Sequence, residues 1–373
     1  MPEILSKRFT LPAIAVLFSG LAFFCGHPLA VSANDDSFNR PGNILISDQF
    51  NNRVIEVDPT GKIVWQFGKG PADFSPLSPI GVNDAQRVGD LTLLAGTGTP
   101  GGQPEAPNCV NPNGCPDNRV LLVNRSGHIV WQYGTFGPGG NGPGQLNTPV
   151  QVTWTPKRHV LITDQANGRI IEVRVLDKQI VWEYDGLNGP NCAELLENGH
   201  ILICDEGNNQ ALEVTHTTPS TVVHTYTIAG GVLFNTLAFA SRLPNGHTLI
   251  TDSGNARIVE TDEAGHVFWQ YFTNNDPNSN QRCSNGVCTG PLPTRALRLS
   301  DGHTLISDQY NHRVIEVDKD GEIVRNFGKI ATLGYDTKSV AHKGLNSPYD
   351  AKRIGDYTGI TPPCDSDHDA DDK

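Results

Sequence analysis

The chain has 373 residues, a formal net charge of −12 at pH 7, 39 glycines and 26 prolines. So acidic a surface repels nucleic acid and anionic lipid, which argues against both as partners. The density of turn residues, without long helical periodicity between them, points to many short strands rather than helices.

The N-terminus reads as an address. Lys7 and Arg8 precede an apolar run from Leu11 to about Cys25, and Val31-Ser32-Ala33 offers a small-residue cleavage site, the layout of a secretory signal over residues 1–33. The run is broken by Pro12, Ser19 and Gly20 and is shorter than a spanning helix needs, so no stable membrane insertion is expected. Cys25 follows Phe24, a poor context for lipid attachment. The expected destination is secreted, periplasmic or cell-envelope, where disulfides persist. Cys109–Cys115 and Cys283–Cys288 each close a short loop and are expected to pair locally. Cys192 and Cys204 fall on adjacent strands and read either as a cross-strand bridge or as two buried thiols; Cys364 is left over. No zinc-like CxxC spacing occurs.

After a polar stub at 34–41, one sentence repeats. Gly42 begins GNILISDQFNNRVIEVDPTGKIVWQFG; further copies start at Arg158, Gly199, Gly246 and Gly302, and a sixth is split between Leu91 and Asn118. Each copy holds three β-branched runs divided by turn residues, and a fourth run precedes most copies, at Asp84, Val150, Cys192, Phe239 and Arg295. A four-stranded unit of that period is a propeller blade. The first copy lacks its leading run, and YDAKRIGD from Tyr349 matches NDAQRVGD from Asn83. The expected fold is therefore an all-β, six-bladed β-propeller over 42–360, its ring closed by the C-terminal strand and leaving no open sheet edge. An acidic, disordered tail is expected at 361–373, since CDSDHDADDK lacks the glycine and distal glutamate of a calcium loop.

The motif Asp-x-x-Asn-x-Arg recurs as Asp48/Asn51/Arg53, Asp164/Asn167/Arg169, Asp252/Asn255/Arg257 and Asp308/Asn311/Arg313, with Asp205/Asn208/Gln210 as a variant. Repetition around a ring argues for architecture: Asp accepting backbone N–H groups, Asn tolerating left-handed backbone, Arg packing and pairing. Trp65, Trp131, Trp182 and Trp269 share one outer-strand position and are expected to pack between blades. His159, His200, His247 and His303 share a turn position, so they spread around the ring rather than converge on a metal.

The phrases GNILISDQFNNRVIEVD and GHTLISDQYNHRVIEVD resemble NHL-repeat propellers, and NGHTLITDSGNARIVETDEAGHVFWQY is similar to blades of arylsulfotransferase-like propellers. The resemblance covers about 42–360. It implies the propeller fold. It also implies, for the arylsulfotransferase type, an inner-strand histidine carrying the sulfo group ahead of an LPNG-like turn. The matching stretches here, NDAQRVGD, YDAKRIGD and FASRLPNG, contain no histidine. Nor does the chain match the zinc-binding channel histidines implied by the similar peptidyl-hydroxyglycine lyases, or the eight blades of quinoprotein propellers.

Sorting the loops by strand direction puts the long segments 70–79, 97–117, 135–146, 273–292 and 329–346 on one face, the pattern of a binding surface. The channel mouth on that face is expected from the starts of the inner strands, giving Asp84, Gln151, Asn191, Arg295, Tyr349 and Asp350 as candidate ligand-binding residues. Asp84 and Asp350 are candidate ligands for a hard cation, calcium being the cofactor considered. Arg295 alternatively pins a polar ligand, or the set is a structural ion-pair cluster. Two functions follow. The favoured one is a monomeric binding module for a protein, glycan or small polar ligand. The alternative is a metal-dependent lyase, hydrolase or transferase built on Asp84, Asp350 and Arg295.

Overall fold

The computed structural model describes residues 37–280, 282–284 and 287–363, with backbone alone at 282–284 and 287–289. The expected signal segment 1–33, Cys364 and the acidic run after it lie outside these residues. The chain is a six-bladed β-propeller. Six antiparallel four-stranded sheets follow one another around a ring, each a meander from the channel outward.

Closure occurs as the repeat requires. Pro348–Arg353 pairs antiparallel with Ile44–Asp48 and becomes the inner strand of blade 1, with Ser47 opposite Asp350 and Ile46 opposite Ala351. Arg53–Val57 and Ile63–Phe67 complete that blade. The inner strands of blades 2 to 6 are Val82–Val88, Pro149–Thr155, Pro190–Leu195, Leu237–Arg242 and Arg295–Arg298. β-Branched residues of the middle strands fill the wedge between neighbouring blades. Ile44, Ile46, Ile55 and Val57 of blade 1 cluster with Leu305, Val314 and Phe327 of blade 6. Burying such a side chain contributes about 1.5–3 kcal/mol each, so the seam where the chain ends meet is as hydrophobic as any other.

The recurring motif is architectural, and its division of labour is specific. In blades 1, 3, 4 and 5 one carboxylate oxygen of the Asp accepts a backbone N–H from the loop entering the same blade: Asn346 to Asp48 at 2.8 Å, Asn147 to Asp164 at 2.7 Å, Asn188 to Asp205 at 2.7 Å and Asn235 to Asp252 at 2.8 Å. The other oxygen takes the Asn amide and the Arg Nε, as Asn51 (2.8 Å) and Arg53 (2.8 Å) do on Asp48. The left-handed residue is the one after the Asn, not the Asn itself: Asn52, Gly168, Asn209, Ala256 and His312 adopt φ of 49°, 64°, 52°, 53° and 55°. The tryptophans also act between blades. Trp65, Trp131, Trp182 and Trp269 donate their indole N–H to Arg125, Val175, Thr217 and Lys319 carbonyls in the outer turn of the next blade.

The turn histidines stay apart, each on the glutamate of its own blade's third strand: His200 on Glu213 and His303 on Glu316 at 2.7 Å, His247 on Glu260 at 2.8 Å. Among the described residues two cysteine pairs are bonded, Cys109–Cys115 as expected and Cys192–Cys204 directly across blade 4, which resolves the open alternative in favour of a bridge. The backbone of a small hairpin pairs Cys283 with Cys288 in register. Ordered structure extends beyond the repeats at both ends. Phe38 of the polar stub packs on Trp65 and beneath the Arg87 guanidinium, and Ile360 and Thr361 are buried under the ring.

Candidate functional site

A bulge recurs at the top of the inner strands. The register slips by one residue at Asn83, Val150, Asn191 and Ala238, and at Tyr349 in blade 1. An extra residue re-aims its side chain relative to its neighbours. Asn83, Asn191 and Tyr349 consequently join a layer above the one held by Asp84, Gln151 and Asp350, and the channel is built in two storeys.

The lower storey is charged. Arg295 ion-pairs with Asp350 at 2.7 Å and Asp84 at 3.1 Å, and its guanidinium lies 4.0 Å from the Phe239 ring centroid. Lys352, which the sequence reading missed, contacts both carboxylates: Asp84, and Asp350 at 2.6 Å. The second Asp84 oxygen accepts the Val152 N–H at 2.9 Å. Burial opposes ionisation of Asp84, but Lys352 and Arg295 outweigh it and hold its pKa low. Glu194, also missed, accepts the Gln151 amide at 2.6 Å; burial pushes its pKa up to about 7 despite Arg295 and Lys352. Below it, Thr361 hydrogen-bonds to Glu194 and accepts the Gln86 amide at 3.1 Å, so the C-terminal segment crosses the lower mouth. Each oxygen of Asp84 and Asp350 thus has a cationic or N–H neighbour, and a metal ion there would have to displace two positive side chains.

The upper storey is almost uncharged. Gln309 donates to Gln49 and Gln49 to Asn83, each at 2.8 Å, linking blades 6, 1 and 2. Tyr349 donates to Asn191 at 3.0 Å, Asn191 donates to Glu206 at 2.6 Å, and Gln165 reaches the same Glu206 oxygen at 3.4 Å. Gln49, Gln165, Glu206 and Gln309 open the short 3₁₀ turns after the second strands, a recurring position that the sequence reading did not single out. Burial raises the pKa of Glu206, opposed by the Asn191 amide, while burial and the Glu206 charge raise that of Tyr349, which stays a donor across the physiological range.

The two halves of the mouth differ. Over blades 6, 1 and 2 the 97–117 insertion folds back, with Ala106 and Cys109 packed on Phe50 and Tyr310 and the Glu105 carbonyl accepting the Asn346 amide at 2.7 Å. Over blades 3 to 5 the mouth is open. A cleft of about 370 Å³ is lined there by Gln165, Asn188, Gly189, Glu206, Gly207, Asn209, Asn235 and Thr236. The structure therefore splits the six expected residues. Asp84, Arg295 and Asp350 form one buried cluster; Gln151 joins it through Glu194; only Asn191 and Tyr349 lie beneath the open cleft.

One further group, Asp301, His303 and Glu316, brings three metal-capable side chains within 4.8 Å. Arg353 occupies it, 2.7 Å from both Asp301 and Glu316. Among the described residues no helix is long and apolar enough to cross a membrane.

No family model matches the chain, and no curated protein matches its sequence. Solved structures do match. A protein of unknown function from Bacteroides caccae is similar at TM-score 0.52 and 14% identity over 79% of this chain and 98% of that one. A streptogramin B lyase is similar at TM-score 0.49 and 13% identity over 86% and 87%. A virginiamycin B lyase from Staphylococcus aureus is similar at TM-score 0.42 and 14% identity over 67% and 69%. At these identities the comparison shows the propeller fold and nothing finer.

Proposed function

We propose that the chain is an exported binding module of the NHL-repeat and arylsulfotransferase-like type, which takes a neutral, hydroxyl-rich ligand such as a glycan end into the open half of its upper mouth. The observation that carries this reading is the lining of the 370 Å³ cleft: amides, a hydroxyl, glycine backbone and one carboxylate, Glu206, above the Tyr349–Asn191 bond. Amides offer donors and acceptors together, as alternating sugar hydroxyls require, and the single carboxylate accepts from two hydroxyls more strongly than a neutral group does. The insertion over the other half limits entry to one side. Calcium has no part in this reading, because Arg295 and Lys352 already neutralise Asp84 and Asp350.

Isothermal titration of the metal-stripped full chain with a panel of neutral mono- and oligosaccharides tests it. At least one should bind, and Glu206→Gln and Gln165→Ala should each weaken that binding. A panel without a binder, or a binder indifferent to both substitutions, refutes the proposal. Turnover that requires a metal and disappears with Asp84→Ala would establish the enzymatic alternative instead.

A further inference from the structure

A second cleft lies on the same face at the rim between blades 6 and 1, away from the mouth. It has a volume of about 720 Å³ and is lined by Arg313, Ile323, Asn326, Gly328, Lys329, Ile330, Thr332, His342 and Lys343. Among the described residues no carboxylate lines it, in a chain of net charge −12. We propose that this cleft binds the oxyanion group of a phosphate or sulfate monoester, with the ester's carbon body against Ile323 and Ile330.

Arg313 carries the argument. It is the motif arginine of blade 6, only 4% exposed, and its Nε is committed to Asp308 at 2.8 Å. In blades 1 and 2 the remaining guanidinium nitrogens are taken. Arg53 Nη2 donates to the Gly344 carbonyl at 2.9 Å, and Arg119 Nη1 and Nη2 donate to Pro76 and Ser78 carbonyls at 2.8 and 3.0 Å. Among the described residues Arg313 Nη1 has only Asp276, 3.6 Å away, and Nη2 has no hydrogen-bond partner. A buried guanidinium N–H without a partner costs about 1–3 kcal/mol or more, and an acceptor supplied by a ligand recovers that cost. Arg257 Nη2 in blade 5 is likewise without a partner among the described residues, but the loop that leaves that blade, residues 273–292, contains no lysine.

Charge and shape select the ligand. Asp308 and Asp276 balance Arg313, and Lys329 and Lys343 add positive charge without an ion pair of their own among the described residues. Nε is occupied, so what Arg313 has left for a ligand is its Nη end, whose charge adds to that of the two lysines. Three cationic side chains in one lining, Arg313, Lys329 and Lys343, match the several oxygens of a tetrahedral oxyanion better than the two of a carboxylate. The volume exceeds what a free ion fills, and the two isoleucines give the remainder an apolar wall.

The test is isothermal titration of the full chain with inorganic phosphate, phenyl phosphate and phenyl sulfate against sodium chloride at matched ionic strength. At least one ester should bind more tightly than inorganic phosphate, and the double variant Lys329→Gln/Lys343→Gln should weaken it by about tenfold or more, as expected for loss of charge-assisted hydrogen bonds, with an unchanged melting temperature. The double variant is used because Arg313 also holds Asp308 and its replacement risks the blade. Responses no greater than those to chloride, or an affinity unaltered in the double variant, would overturn the site; tighter binding of inorganic phosphate than of both esters would overturn the assignment to an ester.

Discussion

Tyr349 and Asn191 stand on opposite sides of the ring, on the inner strands of blades 1 and 4, and their side chains meet at 3.0 Å across the channel. Both are bulged residues, so the bond depends on two register slips made independently in two blades. It holds Asn191 in the orientation that presents its amide to Glu206.

Tyr349→Phe removes the donor and leaves a buried amide oxygen unsatisfied, so stability should fall by roughly 1–3 kcal/mol in denaturant unfolding. Asn191→Ala alone and the double variant complete a cycle. Contact across the channel predicts a coupling energy clearly different from zero; additive effects would mean the two residues do not interact in solution.

Ending the chain after Leu345 removes the strand that pairs with Ile44–Asp48 and the Asn346 N–H that reaches Asp48. Blade 1 would then expose an edge, and Ile44 and Ile46 would lose one side of their packing. The truncated chain should lose its cooperative thermal transition in circular dichroism. An unchanged melt would show that the ring closes by some other route.

The repeat made the fold legible. Near-identical sentences at Gly42 and Gly302, and the YDAKRIGD echo of NDAQRVGD, fixed blade number and closure because blade sterics act through local periodicity. The mouth was legible only in part. Arg295, Asp84 and Asp350 meet in the structure, and Lys352 joins them because it lies two residues from Asp350 on a strand and so shares its face, a signal the sequence does carry. The bulges at Asn191 and Tyr349 leave no mark in a two-residue alternation, so nothing separated the upper storey from the lower. Glu206 was hidden for another reason: it sits in a turn that reads as part of the blade motif, and only the ring geometry brings it to Asn191.

Glu194 gives the channel a pH dependence of predictable sign. Burial raises its pKa from 4.5 to about 7 in the fold. A raised carboxyl pKa means the folded chain holds the proton more tightly, so this contribution is fully present below 4.5 and is lost as pH rises through about 7. Glu194→Gln removes that dependence and can still accept the Gln151 amide. Relative to the parent, the variant should gain roughly 3 kcal/mol in unfolding free energy between pH 4.5 and 8. A parallel pair of stability curves, or a carboxyl carbon resonance of Glu194 that titrates near 4.5, would contradict the buried placement.

His312 should oppose it at the acid end. It occupies the left-handed position of blade 6, and its Nδ1 accepts the Ser347 N–H at 3.1 Å. Asparagines do the same elsewhere: Asn52 accepts from Gly81 at 3.0 Å, Asn118 from Thr148 at 2.7 Å and Asn209 from Thr236 at 2.6 Å, each joining one blade to the loop that enters the next. Burial lowers the His312 pKa from 6.5 to about 4. The unfolded chain therefore takes up a proton below 6.5 that the folded chain refuses until about 4, and stability falls across that window as pH drops. Accepting from Ser347 requires the unprotonated nitrogen, which is the structural reason for the refusal. His312→Asn keeps both the acceptor and a residue tolerant of left-handed backbone, as in blades 1, 2 and 4. The variant should match the parent near pH 8 and exceed it by roughly 2–3 kcal/mol near pH 4.5 in urea unfolding. A deficit at pH 8 equal to that at pH 4.5 would show that the imidazole contributes by shape, and that protonation of His312 plays no part in acid destabilisation.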